Sequence, residues 1–147
     1  MATNKRKRWV TPAGVEVKSG LELKIATSLE EQGIEYGYET VKFAWYDKYP
    51  RALCSDCGGS EIYQKRSYTP DFIFPNGVIV ESKGRLTRRD RKIITGVRTA
   101  NPEIDLRLVF DKDNRINKGS NTRYSDWAER NKFQYAMKGA VPEEWFK

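Results

Sequence analysis

The stretch TPDFIFPNGVIVESKG, residues 69–84, carries an apolar hairpin whose open end is lined with charge. Phe72, Ile73 and Phe74 run into Pro75-Asn76-Gly77, and Val78, Ile79 and Val80 run out of it. Branched and aromatic residues on either side of a proline and an Asn-Gly pair read as two antiparallel strands and their turn. A two-residue Asn-Gly turn would leave Pro75 inside the ladder with no N–H to give. The sequence therefore predicts a three-residue loop with Phe74 opposite Val78. That register places Asp71 opposite Glu81, and side-chain alternation puts Lys83 on their face. Ionisable groups rarely stand at the ends of buried strands without a partner or a task.

Two facing carboxylates repel, and one takes up a proton unless a cation lies between them. All-oxygen ligation suits Mg²⁺ or Mn²⁺, which bind through one or two protein carboxylates and complete their shells with water and phosphate oxygens. The pattern points to phosphodiester hydrolysis. Lys83 is placed to position or deprotonate the attacking water, or to support charge on the scissile phosphate. A plainer alternative has Asp71 capping a turn after Pro70 and Glu81 with Lys83 as a weak surface pair. The register, the apolar strands between the acids and the basic segment that follows favour metal and phosphate.

The composition narrows the chemistry further. Histidine is absent from the 147 residues. That excludes His-based acid/base catalysis, Ser-His-Asp and Cys-His nucleophiles and His-ligated metals within the chain. Lys and Arg number 27 against 20 Asp and Glu, a formal charge of +7 that points to a polyanionic partner, nucleic acid first. No apolar run approaches a membrane span, and the basic start MATNKRKRWV has no hydrophobic segment behind it. A soluble, cytoplasmic, single-domain protein is the expectation.

Along the chain, residues 1–18 read as a basic flexible arm containing the run Lys5-Arg6-Lys7-Arg8, followed by one domain over 19–147. Ser19-Gly20-Leu21-Glu22 matches a capping box, with Glu22 reaching back to the serine N–H, and opens a helix that Gly33 ends. Ile34 to Trp45 reads as a strand, with a bulge or kink near Glu39 and Thr40 where the apolar phase shifts. Residues 47–66 have little periodicity and read as an inserted loop or bridge. After the hairpin, Thr87 caps a second helix, with Ile93, Ile94, Val97 and Ala100 inward, that ends at Asn101-Pro102. Ile104 to Phe110 alternates as a strand, and a short helix near Asp126 to Arg130 and a strand near Phe133 to Ala136 complete an α-β-β-β-α-β order with a C-terminal extension.

In that order SGLE (19–22), YTPDF (68–72), PNGVIVESKG (75–84), NPEIDLRLVF (101–110), KGSNTRYSDWAE (118–129) and VPEEW (141–145) resemble the phage endonuclease I family of Holliday-junction resolvases. The resemblance implies an α/β, restriction-endonuclease-like core with a mixed sheet flanked by helices and a PD-(D/E)xK site of Asp71, Glu81 and Lys83. It adds Glu22, which the capping box alone explains, as a ligand of a second metal. It implies two Mg²⁺ or Mn²⁺ ions per site, hydrolysis to 5′-phosphate products, branched DNA as substrate and an interlaced homodimer in which Glu22 comes from the other chain. If phage-encoded, the protein would act in the host cytoplasm. Segment 45–68 is longer than the family's usual bridge, and the chain has no basic C-terminal tail, for which Lys5 to Arg8 can substitute.

Between residues 83 and 98 stand Lys83, Arg85, Arg88, Arg89, Arg91, Lys92 and Arg98 against the single acid Asp90. All but Lys83 and Arg98 read as a backbone clamp, with Thr87 opening a helix N-terminus that can receive a phosphate and Lys118 and Arg123 as further contacts. Cys54 and Cys57, in CSDCGG, look like half of a zinc ribbon, a Cys-x2-Cys knuckle. Two copies across a dimer axis would complete a four-cysteine Zn²⁺ site, and free thiols in a reducing compartment are the alternative. Two readings compete with a resolvase: a same-fold nuclease of nicked, mismatched or duplex DNA, and a non-catalytic nucleic-acid binder. Clustered acids facing a polyanion argue against the binder.

Overall fold

The computed structural model describes residues 7–50 and 61–147, and Lys5, Arg6, Cys54 and Cys57 lie outside them. The central hairpin forms in the predicted register. Phe72–Ile73 (β6) pairs with Val78–Lys83 (β7) through Phe72↔Val80 and Ile73↔Ile79. Gly77, at φ +89°, supplies the left-handed residue that the Pro75-Asn76-Gly77 turn requires.

Three further strands extend this hairpin into a mixed five-stranded sheet. Gly37–Tyr38 (β3) pairs antiparallel with β6, Asp105–Phe110 (β8) runs parallel to β7, and Tyr135–Ala136 (β9) runs parallel to β8. Gly20–Glu31 (α1) covers one face, burying Ile25, Ala26 and Leu29 with Val78, Val80 and Phe72. Arg88–Ala100 (α2) and Tyr124–Arg130 (α3) cover the other, where Ile94, Val97 and Ala128 meet Ile79, Leu108 and Phe110. Strand alternation divides β7 and β8 between the two cores, so both faces of the sheet's centre are dry.

Three expectations change. Residues 9–17 are no loose arm: Trp9–Val10 (β1) pairs with Glu16–Val17 (β2), and Thr11 and the Ala13 N–H bond to Glu30 of α1 at 2.9 and 2.7 Å. The strand predicted over Ile34 to Trp45 breaks at Glu39, whose φ is +51°, and the chain leaves the central sheet there. Of the segment expected to be a loop, residues 47–50 and 61–66 are sheet. Phe43–Pro50 (β4) and Glu61–Tyr68 (β5) pair antiparallel from Phe43↔Tyr68 to Pro50↔Glu61.

The hairpin β4–β5 is fixed by its inward row. Trp45 is buried and stacks near Arg89 of α2, and Asp47, two residues on, is wholly buried. Its carboxylate takes Arg66 Nε at 2.7 Å, Arg89 Nη2 at 2.8 Å and Lys92 Nζ at 2.6 Å. An acid on the inward row conceals the apolar alternation from a sequence reading, and it is stable there only because three cations meet it.

Helix α2 approaches β4 closely at Gly96, where an added Cβ would lie 2.8 Å from Cε3 of the buried Trp45 ring. Alanine favours helix by about 1 kcal/mol over glycine, yet Gly96→Ala should lower the melting temperature, because the buried Trp45 ring would have to shift out of its packing. Thermal unfolding of the two proteins checks this, and a raised melting point would contradict the packing.

Candidate active site

Asp71 stands just before β6, with Pro70 buried behind it, and its backbone C=O accepts from Glu39 N–H at 2.9 Å. The hairpin register brings it beside Glu81, and Asp71 N–H donates to Glu81 Oε2 at 3.2 Å. Asp71 Oδ2 accepts from both Ser82 N–H (2.9 Å) and Ser82 Oγ–H (2.6 Å). Lys83 Nζ lies 3.2 Å from Glu81 Oε1 and 3.3 Å from Asp90 Oδ1. Asp71 and Glu81 are only 7% and 5% exposed.

Burial, and then the charge of Glu81, push the Asp71 carboxyl up to about 8; the Ser82 hydroxyl pulls it down and Glu22 adds to the rise. Glu81 is also raised, by burial first, against the opposing pull of Lys83. Burial pulls Lys83 down, but Glu81 and Asp90 outweigh it and its pKa is raised. Lys83 is therefore an ammonium in this environment, suited to offering positive charge and poorly suited to accepting a proton.

Glu22 joins these residues from the opposite face of the sheet. Ser19 Oγ accepts its N–H at 3.2 Å, as the capping box requires, but the Glu22 carboxylate does not reach back to Ser19. It accepts instead from Lys18 N–H and Tyr38 O–H, both at 2.8 Å. Tyr38 pairs with Phe72, next to Asp71. In this chain α1 packs on its own β7, and Glu22 acts on Asp71 of the same chain. Glu22, Asp71, Glu81 and Lys83 thus come together within the single chain described. Among the described residues no three acidic or cysteine side chains converge closely enough to hold one ion. A cation at the hairpin would have Asp71 and Glu81 as its carboxylates, an all-oxygen pair that fits Mg²⁺ or Mn²⁺.

Ser82, Asp90, Tyr38 and Tyr68 are parts of the site that sequence reasoning did not single out. Ser82 lies between two of the chosen residues, and Asp90 is the one acid in the basic run. The helix N-terminus expected to receive a phosphate is already capped, since Asp90 Oδ2 accepts from Thr87 N–H and Oγ1–H at 2.8 and 2.7 Å.

The predicted clamp divides into two groups. Arg89 and Lys92 bind Asp47, and Arg91 donates to Leu86 C=O at 3.0 Å; Arg98, outside the clamp, lies over the Phe133 ring. Arg85, Arg88 and Lys118 instead line a cleft of about 620 Å³, joined by Arg115, which the sequence reading missed. None of these four makes an ion pair among the described residues. Arg123 donates to Asp113 C=O, Lys7 sits over the Trp9 ring and Arg8 faces Glu16.

Fold and site together define a mixed α/β protein with a buried acidic centre beside a basic surface. Its family follows from comparison. The family model described as phage endonuclease I matches residues 1–147, and the chain belongs to that family. It is 37% identical over 131 residues to Endonuclease I of Escherichia phage T7, an alignment covering 88% of this chain and 78% of that protein. It is 35% identical over 126 residues to Endodeoxyribonuclease 1 of Enterobacteria phage T3, covering 85% of this chain and 74% of the relative. No helix among the described residues is long and apolar enough to cross a membrane.

The raised Asp71 carboxyl makes a stability prediction. Unfolded, Asp71 loses its proton near 3.8; folded, it keeps it to about 8. Between those values the folded state holds the extra proton, so this group makes stability fall as pH rises. Asp71→Asn keeps an acceptor for Ser82 and removes the titration. Metal-free mutant should exceed wild type by at least about 1 kcal/mol at pH 8, less than one pKa unit's worth, with the gap closing below pH 4. Denaturant unfolding across that range checks it, and a mutant less stable at pH 8 would contradict it.

Proposed function

We propose that the chain is a divalent-cation-dependent DNA endonuclease that hydrolyses phosphodiesters in four-way junctions and other branched DNA. The observation that carries this reading is the placement of two buried, mutually repelling carboxylates and one ammonium at the open end of a hairpin. Such an arrangement is costly in a protein that only folds or only binds. The names of the two phage relatives, an endonuclease and an endodeoxyribonuclease, support DNA as substrate.

Asp71 and Glu81 would hold Mg²⁺ or Mn²⁺, which would supply Lewis-acid charge to the scissile phosphate. Ser82 keeps Asp71 turned inward by its two donors. Lys83 offers its ammonium to the negative charge that grows on the phosphate as water attacks. Glu22, held by Lys18 and Tyr38, brings a third acid to the site and would carry the second ion that the family resemblance implies. Hydrolysis would leave a 5′-phosphate. Arg85, Arg88, Arg115 and Lys118 would track the DNA backbone, each contact adding to the salt dependence of binding. Cutting opposed strands of a junction needs two sites. We place one in each subunit of a homodimer, complete within its own chain.

Wild-type protein with Mg²⁺ should cut a fixed four-way junction far faster than the matched linear duplex, and EDTA should stop it. Lys83→Ala should cut at least about 100-fold more slowly, the scale of losing one donor to developing charge, while binding the junction in EDTA as wild type does. Equal cutting of junction and duplex would favour a general duplex nuclease, and unchanged turnover in Lys83→Ala would remove the site assignment.

A further inference from the structure

Tyr68 closes β5 opposite Phe43, two residues before the buried Pro70. Its hydroxyl oxygen is sealed from solvent and lies within reach of the Glu81 carboxylate, to which it makes no well-formed hydrogen bond. The carboxylate that acts on it most strongly is Glu81, with Asp71 and Asp90 beyond. The hydroxyl therefore faces the acidic centre. An unsatisfied buried donor weakens a fold, and native proteins leave few of them.

The neighbouring polar groups make the exception informative. Ser82 Oγ is bonded to Asp71, Tyr38 O–H to Glu22, and Lys83 to Glu81 and Asp90. Both Glu81 oxygens are engaged as well, Oε2 by Asp71 N–H and Oε1 by Lys83. Lys83 carries three N–H donors, with Glu81 and Asp90 engaging two of them. When it turns toward a phosphate its hold on Glu81 weakens, and another donor would keep Glu81 in orientation. The group already aimed there is Tyr68.

We propose that Tyr68 is a positioning residue for Glu81: its hydroxyl donates to the Glu81 carboxylate when that group turns to hold a divalent cation, freeing Lys83 for the substrate phosphate. This rests on the reading of Asp71 and Glu81 as the cation site. It also ties the β4–β5 hairpin, anchored on α2 through Asp47, to the chemistry of β7. Partners that orient metal-ligating carboxylates typically change metal affinity or activity by about 10–100-fold when removed.

The test is Tyr68→Phe, which removes one oxygen and keeps the ring. Metal-free mutant should melt close to wild type, since the lost hydroxyl makes no well-formed hydrogen bond. Its affinity for Mg²⁺, measured by calorimetry without DNA, should fall about 10-fold or more. Its kcat on a four-way junction should fall by a similar factor at near-constant KM. Wild-type Mg²⁺ affinity and kcat would overturn the proposal. So would a clear drop in metal-free melting temperature, which would show that the hydroxyl has a structural partner. Asp71→Asn, run in parallel, separates the two layers: if it keeps both Mg²⁺ binding and cleavage, the cation site itself is wrong, whereas its loss alongside a wild-type Tyr68→Phe would refute only the role given to Tyr68.

Discussion

Burying Asp71 and Glu81 side by side is the constraint around which the rest of the structure is arranged. Neither carboxylate is in water, burial raises the proton affinity of each, and Glu81 and then Glu22 raise that of Asp71 further. Left alone, such a cluster would open the hairpin. It holds because β7 is central in the sheet, paired with β6 on one side and β8 on the other, with apolar cores on both faces. Ser82, Lys83 and the Asp71 N–H then supply what neutralisation the chain itself can offer. The remaining repulsion would favour a cation bound between them, and a folded state that sacrifices stability for such a capacity is common at functional centres.

Asp47 applies the same logic with the opposite outcome. It is fully buried, but Arg66, Arg89 and Lys92 surround it, so its charge is spent on architecture. By holding α2 to the β4–β5 hairpin it removes two arginines and a lysine from the set offered to a polyanion. What remains outward at the start of α2 is the group around Arg85 and Arg88, on the cleft shared with Arg115 and Lys118. Two acids in similar burial thus play different parts because one has a complete set of cations and the other does not.

Much of this was legible in the sequence, for identifiable reasons. The hairpin register followed from Pro75, which cannot give a ladder hydrogen bond, and that one inference placed Asp71 beside Glu81. Both helix starts followed from Ser19 and Thr87. What was hidden depended on distant partners. The inward position of Asp47 makes sense only with Arg89 and Lys92, more than forty residues away. Thr11 and the β1–β2 ladder rely on Glu30. Glu22 left its expected cap because Tyr38 and Lys18 offered better-placed donors. The sorting of the basic run into structural and outward members could not be read from charge alone, because it turns on which side of α2 meets the β4–β5 hairpin.

The central claim is that Asp71 and Glu81 together form a cation site, and titrating the protein with Mg²⁺ in the absence of DNA tests it most directly. Calorimetry on wild type, Asp71→Asn, Glu81→Gln and the outward-facing control Arg88→Ala should show binding in wild type and control alone. Undiminished Mg²⁺ affinity in both Asp71→Asn and Glu81→Gln would contradict the account.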